Sequence, residues 1–396
     1  MADPSTHRQL VASIGALIII LALLIDPFAQ QILRYYDCTI SVEGTPAHLP
    51  RTNFYDNYGA HIGAGLSDLP TDMKSSINSG LLVPGSTGIS FNCPTGNCTF
   101  DQDYFTVGYC SSCEDASKNL SYSCQAVSKE ASADGQNCTY TLSDMWNNET
   151  LSSISVSSVS TPRTLMTAGN TRLTGRVQFL NEFEGIKAYL NSRSCSAEAW
   201  GCMGAVACNL YPCVKGFRAE VRGGNLTEKL ISTSTLDSEW LTSVDTECLS
   251  PNERQSLVAE GYDTSSRWVA YNGGKAGTTN ASIVTLPYDV RQANASIPSK
   301  CLYSLHYLSC NSLYWFLSQY FNGAVVIAGD YTFDSNDNSG PIQLTAMYGS
   351  GNISLYSINT SFTGIAEALT TTMRQTGNAN YSQPAVGQAQ PPHPRW

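Results

Sequence analysis

The stretch KGFRAEVRGGNLTEKLI, residues 215–231, reads as a β-hairpin. Phe217, Ala219 and Val221 alternate with Arg218, Glu220 and Arg222, the period of two that sends successive side chains to opposite faces of a sheet. Gly223-Gly224-Asn225 supplies residues that accept positive φ, and LTEKLI runs back. Working outward, further short β-branched or aromatic runs bounded by turn residues read as strands: SFNC before Pro94, TVGYC at 106–110, SYSC at 121–124, NCTYTL at 137–142 and RWVAY at 267–271. The alternating stretch around Ile353, Leu355 and Tyr356 reads the same way. VSSVS, within the Ser/Thr-rich run 151–164, could be an edge strand in a solvated loop. Two segments carry a helical stripe instead. Within 302–321, Leu313, Phe316, Leu317, Tyr320 and Phe321 share a face, and Asn322-Gly323 ends it. Within 362–374, Phe362, Ile365, Ala366, Leu369 and Met373 share another, with Gly377 as a cap. The fold class is therefore α+β: a β-rich ectodomain with a few helices.

Fourteen cysteines fall among these elements. One group is Cys93, Cys98, Cys110, Cys113, Cys124 and Cys138; the other is Cys195, Cys202, Cys208, Cys213, Cys248, Cys301 and Cys310; Cys38 stands alone. All are disulfide candidates, with the first six expected to pair among themselves. The second group is odd in number, so Cys38 joins it or one thiol stays free. Cys301 and Cys310, placed about 13 Å apart on one helix, should not bridge each other. The spacing Cys93-x4-Cys98-x11-Cys110-x2-Cys113 would also suit four zinc thiolates, but disulfides are the ordinary use of cysteine in an oxidising compartment.

That compartment is indicated independently. Ten N-x-S/T sequons stand at Asn97, Asn119, Asn137, Asn148, Asn225, Asn280, Asn294, Asn352, Asn359 and Asn380, all candidates for N-glycosylation. Upstream, LVASIGALIIILALLI at 10–25 carries no charge. Sixteen helical residues span about 24 Å against a hydrocarbon core of about 30 Å. Extension to Ala29 closes the gap and leaves Asp26 and Pro27 at the interface. A cleaved signal peptide is the rival reading, but the leader has only His7 and Arg8 as basic groups, offset by Asp3, and Pro27 precedes the best cleavage candidate. The chain is thus expected to divide into a cytosolic leader (1–9), one transmembrane helix (10–29), a cysteine-rich first part of the ectodomain (30–142), a Ser/Thr-rich linker or loop (143–171), a second part (172–376) and a disordered tail (377–396).

Composition narrows the partners. The 396 residues are 42% hydrophobic, enough for a core, and only 14% charged, with a net charge of −10 and no basic block. Nucleic acid is a poor partner for such a surface, because phosphate contacts need clustered Lys and Arg. The lipid bilayer is the expected partner, with a cell-surface protein or a glycan as further candidates.

Several motifs together resemble a fungal family of integral membrane proteins defined by domain of unknown function 3176. They are GALIIILALLIDPFAQQIL at 15–33, CPTGNCTF at 93–100, VGYCSSCED at 107–115, ACNLYPCVKGFRAEVRGGNLTE at 207–228, SLYWFLSQYFNG at 312–323 and GIAEALTTTMR at 364–374. The resemblance implies a membrane-anchored ectodomain in the plasma membrane or secretory pathway. It also implies that the chain is a fragment, since such proteins carry further membrane helices before the DPFAQQ segment and after the late helix. It brings no catalytic residues.

Chemistry has few signatures. There is no G-x-S-x-G, H-E-x-x-H or P-loop. Asp334 to Gly340 is Asp/Asn-rich but has Ser339 and Thr345 where a calcium loop starting at Asp334 needs Gly and an acid. His48, His61 and His306 are the ectodomain histidines well inside the chain, and Glu182 with Glu184 or Asp101 with Asp103 are carboxylate pairs that only a suitable cleft would make catalytic. The aromatic cluster Tyr314, Trp315, Phe316, Tyr320 and Phe321 reads as a buried helical face. No metal and no cofactor is expected. The leading functional expectation is a non-enzymatic surface module that senses, adheres or scaffolds; the alternative is a membrane-tethered hydrolase acting on glycan or cell-wall polymer.

Overall fold

The computed structural model describes residues 14–19, 46–63, 66–85, 88–126, 136–142, 154–157, 163–170, 175–182, 203–236, 241–271, 297–327, 338–349, 353–377 and 382–390. In chain order the strands begin with β1 (Pro46–Leu49), β2 (Phe54–Tyr55), β3 (His61–Gly63), β4 (Leu66–Ser67), β5 (Cys98–Thr99), β6 (Tyr104–Asp115), β7 (Leu120–Ala126), β8 (Gln136–Leu142) and β9 (Ile154–Ser157). They continue with β10 (Arg163–Asn170), β11 (Arg176–Glu182), β12 (Met203–Arg222), β13 (Asn225–Thr235), β14 (Thr242–Asp245) and β15 (Trp268–Ala270). The last are β16 (Leu302–Leu305), β17 (Gly323–Ile327), β18 (Asn338–Ser339) and β19 (Ala385–Ala389). The helices are α1 (Thr71–Leu82), α2 (Pro251–Ala259), α3 (Tyr307–Tyr320), α4 (Ile342–Tyr348) and α5 (Leu355–Thr376). The class is α+β and β-rich, as the periodicities predict.

The hairpin read at 215–231 organises the largest sheet, of ten strands. Gly223 and Gly224, at φ 57° and 79°, make the turn, and Arg222 pairs with Asn225 beside it. β12 is twenty residues long and changes partners along both edges. On one edge β11 pairs with 203–209 and β13 with 213–222. On the other, β6 pairs with 206–217 and β5 with 220–221. Pro212 has no N–H to give a ladder, which ordinarily argues against a central strand. It sits at the joint between β11 and β13, where its carbonyl accepts from Leu236 N–H at 3.1 Å. Its nitrogen faces the same edge, away from β6, so the β6 ladder loses no bond.

Helix α5 covers what would otherwise be the open edge of β6. Thr370 Oγ1 accepts from Tyr109 N–H at 3.1 Å and lies 3.3 Å from the Tyr109 carbonyl, while Val107 N–H donates to the Thr52 carbonyl at 2.8 Å. Ile365, Leu369 and Met373 of α5 enter the main core with Met73, Ile77 and Leu81 of α1, Leu313 and Leu317 of α3, and Val107, Val206, Leu210 and Val214 of the sheet. Phe362 meets Phe179 and Phe321 in a ring cluster with centroids 5.4–6.0 Å apart. The predicted helical stripe is thus a core face.

α1 and α5 cross at two glycines. A Cβ on Gly364 would lie 2.3 Å from the Gly80 carbonyl oxygen, and one on Gly80 would lie 2.4 Å from that of Gly364. Both neighbours are backbone and cannot swing aside. Gly364→Ala is expected to lower the unfolding free energy by about 2–3 kcal/mol, read as a lower urea midpoint; a midpoint equal to that of the unaltered chain would show that the crossing is not tightly packed.

Several expectations need correction. SFNC at 90–93 is not a strand and makes only an isolated bridge, Asn92 with His48. Residues around Ile353, Leu355 and Tyr356 start α5 rather than a strand. Ser354 Oγ accepts from Ser357 N–H at 3.1 Å while Ser357 Oγ accepts from Ser354 N–H at 2.8 Å, so a capping box supplies partners for the first turn. Three alternating residues do not separate a strand from a first helical turn. Next, the helix placed at 302–321 starts at Tyr307, because 302–305 is strand β16, held between β14 and the parallel β2. Gly377, expected as a left-handed cap, is extended at φ −63° and ψ 162°. Finally, the tail at 377–396 is not wholly irregular: Ala385–Ala389 is β19, which joins β1 to β5. Its inward residues are Ala385 and Gly387, too small to leave a periodic signal. A Cβ on Gly387 would meet the Phe100 ring and the Thr99 carbonyl at 2.6 Å.

The expected edge strand near VSSVS exists as β9, outermost in a three-stranded sheet with β7 and β8. Arg163–Asn170, within the expected linker, is strand β10 of the large sheet. The anchor expected at 10–29 falls mostly outside the described residues. Its described part, 14–19, is helical and exposes Ile14, Leu17, Ile18 and Ile19. Among the described residues no helix is long and apolar enough to cross a membrane.

Candidate functional site

The cysteines are the first chemistry the fold resolves. Cys93 bridges Cys98, as expected within the first group. Cys110 and Cys113 instead bridge Cys213 and Cys208, across the β6–β12 ladder, which corrects the expectation that the first six pair among themselves. The cause is register. Cys113 stands directly opposite Cys208, and Cys213 stands opposite Gly108, two residues from Cys110. The Cα separations are 4.1 and 5.8 Å. Three residues separate the cysteines of β6 and five those of β12, so each strand sends its two cysteines to opposite faces. One bridge therefore staples each face. Cys124 and Cys138 are opposite one another in the β7–β8 register. Cys301 bridges Cys248 and not Cys310, which is a buried free thiol. Cys38, Cys195 and Cys202 lie outside the described residues. The zinc spacing of Cys93, Cys98, Cys110 and Cys113 is consumed by three separate bridges.

Burial pushes the Cys310 thiol up to about 12, although hydrogen bonds with Tyr314 and Tyr109 pull the other way. A thiol held protonated in this way is a poor nucleophile and a poor metal ligand.

A buried polar cluster lies where α5 passes the β12–β13 hairpin. Arg374, 5% exposed, donates from Nη1 to Glu228 Oε2 at 2.9 Å and from Nη2 to Glu228 Oε1 at 2.7 Å. It also donates to the Tyr104 hydroxyl and the Pro50 carbonyl, both at 2.9 Å. Tyr104 OH donates to Glu228 Oε1. The guanidinium lies 5.4 Å from the Tyr104 ring centroid and 5.3 Å from that of Phe217. Four chain segments thereby meet on one cation, namely β6, the residue after β1, β13 and α5. Burial opposes the charge on Arg374, and the bonds to Glu228 and Tyr104 more than restore it, so its pKa stays above the ordinary value.

Lys215 lies beside this cluster on β12, 6% exposed. Burial pushes its amine down to about 8; Glu367 works against that and Arg374 adds to it. Since the unfolded chain holds this proton to about pH 10.4, the charge destabilises the fold at neutral pH, and the penalty is relieved as pH rises from about 8 to about 10.4. Lys215→Met is expected to stabilise the chain by about 2–3 kcal/mol at pH 7 and by nothing above about pH 10.5, measured by urea unfolding at both pH values. Equal stability at pH 7 would overturn the assignment.

Of the expected carboxylate pairs, only Asp101 and Asp103 fall among residues whose side chains are described. A general acid needs a raised pKa. Asp103 is instead lowered by its bidentate partner Arg218, at 2.8 and 3.0 Å. Asp68, Glu253 and Asp263 are lowered as well, the first by Lys74, the others by hydrogen bonds from the backbone N–H of Ser250 and Ser265. Asp101 is exposed, the side chain of Glu182 is not described, and Glu184 lies outside the described residues, as do residues 334–337 of the Asp/Asn-rich loop.

The histidines stand on separate elements. His48 is in β1, His61 is exposed in β3, and His306 caps α3 by accepting from Leu308 N–H at 3.2 Å. The imidazole stacks on Tyr58 at 5.2 Å. Burial lowers its pKa, against a pull from Asp56, which keeps the capping nitrogen free to accept. The aromatic cluster at α3 is a buried face only in part: Phe321 is buried, whereas Tyr314, Trp315, Phe316 and Tyr320 are half-buried, Phe316 stacks on Tyr320, and Tyr320 OH donates to Asn78 at 2.6 Å. Sequence reasoning missed the Arg374, Glu228, Tyr104 and Lys215 cluster. Its only sequence signal is a charge on the apolar stripe of α5 and a lysine in a strand.

Of the sequons, Asn119 and Asn225 are exposed. Asn97 and Asn359 are half-buried, and Asn97 Oδ1 accepts from Gly223 N–H at 2.9 Å.

No protein-family model, no curated protein and no solved structure matches the chain. Fold and site together define a disulfide-bridged α+β protein in which, among the described residues, buried Arg374 is paired with Glu228 and buried Asp245 with Arg267.

Proposed function

We propose that this chain is a non-catalytic module on the lumenal or extracellular side of a membrane, held there by residues 10–29 and N-glycosylated, with a role in surface sensing, adhesion or scaffolding. The observation that carries the reading is the pair of bridges Cys110–Cys213 and Cys113–Cys208, because structural disulfides are the rule in oxidising compartments and rare where thiols are kept reduced. The downward shifts of Asp68, Asp103, Glu253 and Asp263 support a structural rather than hydrolytic use of these acids. The apolar run at 10–25, the ten sequons and the resemblance to the fungal membrane family support the location. The hydrolase alternative has no observation in its favour among the described residues.

The test is expression of the full chain in a eukaryotic secretory host. Non-reducing peptide mapping should find the four bridges seen among the described residues, the chain should partition with membranes, and glycosidase should increase its mobility. Free thiols at Cys110, Cys113, Cys208 and Cys213, or an unchanged mobility, would refute the compartment. Turnover of a glycan or wall polymer that one point variant abolishes would refute the non-catalytic role.

A further inference from the structure

We infer that Asn225 carries an N-linked oligosaccharide whose task is to shield the outer edge of β13 from pairing with a second copy of the chain. The inference rests on the lumenal reading above and deepens it. β13 pairs with β12 from Asn225 to Thr235, and no other described strand pairs with it. It is eleven residues long and open along most of its length, with Leu230 49% and Ile231 38% exposed.

An edge of this length, with exposed apolar residues, is a template for strand addition unless it is blunted by Pro, by several charges or by a cover. β13 has no Pro and only two charges, Glu228 and Lys229. Glu228 is turned into the bidentate pair with Arg374 and is spent on the fold. Lys229 alone remains as an electrostatic guard.

The sequon supplies the cover. Asn225 is exposed and is the first residue of the strand, directly after the Gly223-Gly224 turn. Leu230 lies five residues along, about 17 Å away at the strand rise and on the opposite face of the strand, so a bulky, hydrated branched sugar at the hairpin tip acts by obstructing the alignment of a second strand along the edge and not by lying over Leu230. Transfer joins sugar C1 to Asn225 Nδ2, breaks the C1–oxygen bond to a polyisoprenyl pyrophosphate donor, which leaves, and releases one amide proton. Asn97, the neighbouring sequon, is engaged differently, with its Oδ1 docked on the Gly223 N–H of the same hairpin tip.

The test uses the full chain from a eukaryotic secretory host, with site occupancy by peptide mass spectrometry and self-association by sedimentation in detergent. Asn225→Gln and Thr227→Ala should each remove one glycan's worth of mass. Both should raise the self-association constant by about tenfold or more, and Leu230→Lys added to Asn225→Gln should reverse the rise. Thr227→Ala keeps the asparagine, so agreement between the two variants assigns the effect to the sugar. An unoccupied Asn225 in a chain glycosylated elsewhere overturns this inference alone, as do variants that associate no more than the parent. A chain without sugar at any sequon overturns the lumenal reading with it.

Discussion

Removing both bridges of the β6–β12 pair, with Ser at Cys110, Cys113, Cys208 and Cys213, should cost about 7 kcal/mol of stability, whereas removing either bridge alone should cost about 2–3 kcal/mol. The asymmetry follows from nesting. Cys110–Cys213 spans 103 residues and Cys113–Cys208 spans 95. Either bridge by itself closes the long loop in the unfolded chain, and the other then closes only the short remainder. In the loop-entropy account the long closure contributes about 5 kcal/mol and the short one about 2.6 kcal/mol. Domains have about 5–15 kcal/mol in total, so the quadruple variant should fail to fold or unfold in very mild denaturant. Each double-serine variant should fold, with its urea midpoint moderately lowered. Equal losses for the single-bridge and the double-bridge variants would show that the two do not close the same loop.

Glu228→Ala should cost about 3–5 kcal/mol, because it strands a buried guanidinium. Arg374 keeps only the Pro50 carbonyl, the Tyr104 hydroxyl and two ring faces once the carboxylate is gone. Replacing both members, as Glu228→Leu with Arg374→Met, should recover most of that loss, since two desolvated charges are exchanged for apolar contact. The double-mutant cycle is the measurement. A single variant within 1 kcal/mol of the parent, on the order of an exposed pair, would mean that water reaches the guanidinium. The consequence reaches beyond one bond, because Arg374 ties the helix that covers the β6 edge to the strand that leaves the hairpin.

The hairpin was legible because its alternation and its glycines act locally. The helical stripes of α3 and α5 were legible for the same reason. The cross-strand bridging was not legible: the sequence led to the expectation that Cys110 and Cys113 pair within the first group, and its strand readings stopped at Cys110 and began at Lys215, short of Cys113, Cys208 and Cys213. The partner strand was not legible, since β6 and β12 are brought together across about a hundred residues of chain. β19 was hidden because Ala385 and Gly387 face inward and leave no apolar signature. The Arg374 cluster was hidden because Arg374, Glu228, Tyr104 and Pro50 come from distant segments.

The sequence by itself determined the class of fold, the hairpin and the core stripes of two helices. These follow from periods of two and 3.6 residues and from composition, which need no knowledge of what lies opposite. Only the tertiary structure decided which cysteines meet, which charge is buried and what answers it, and which strand edge is left open. Each of those is a property of a register between segments far apart in the chain, and a register is set when both faces bury their apolar residues together.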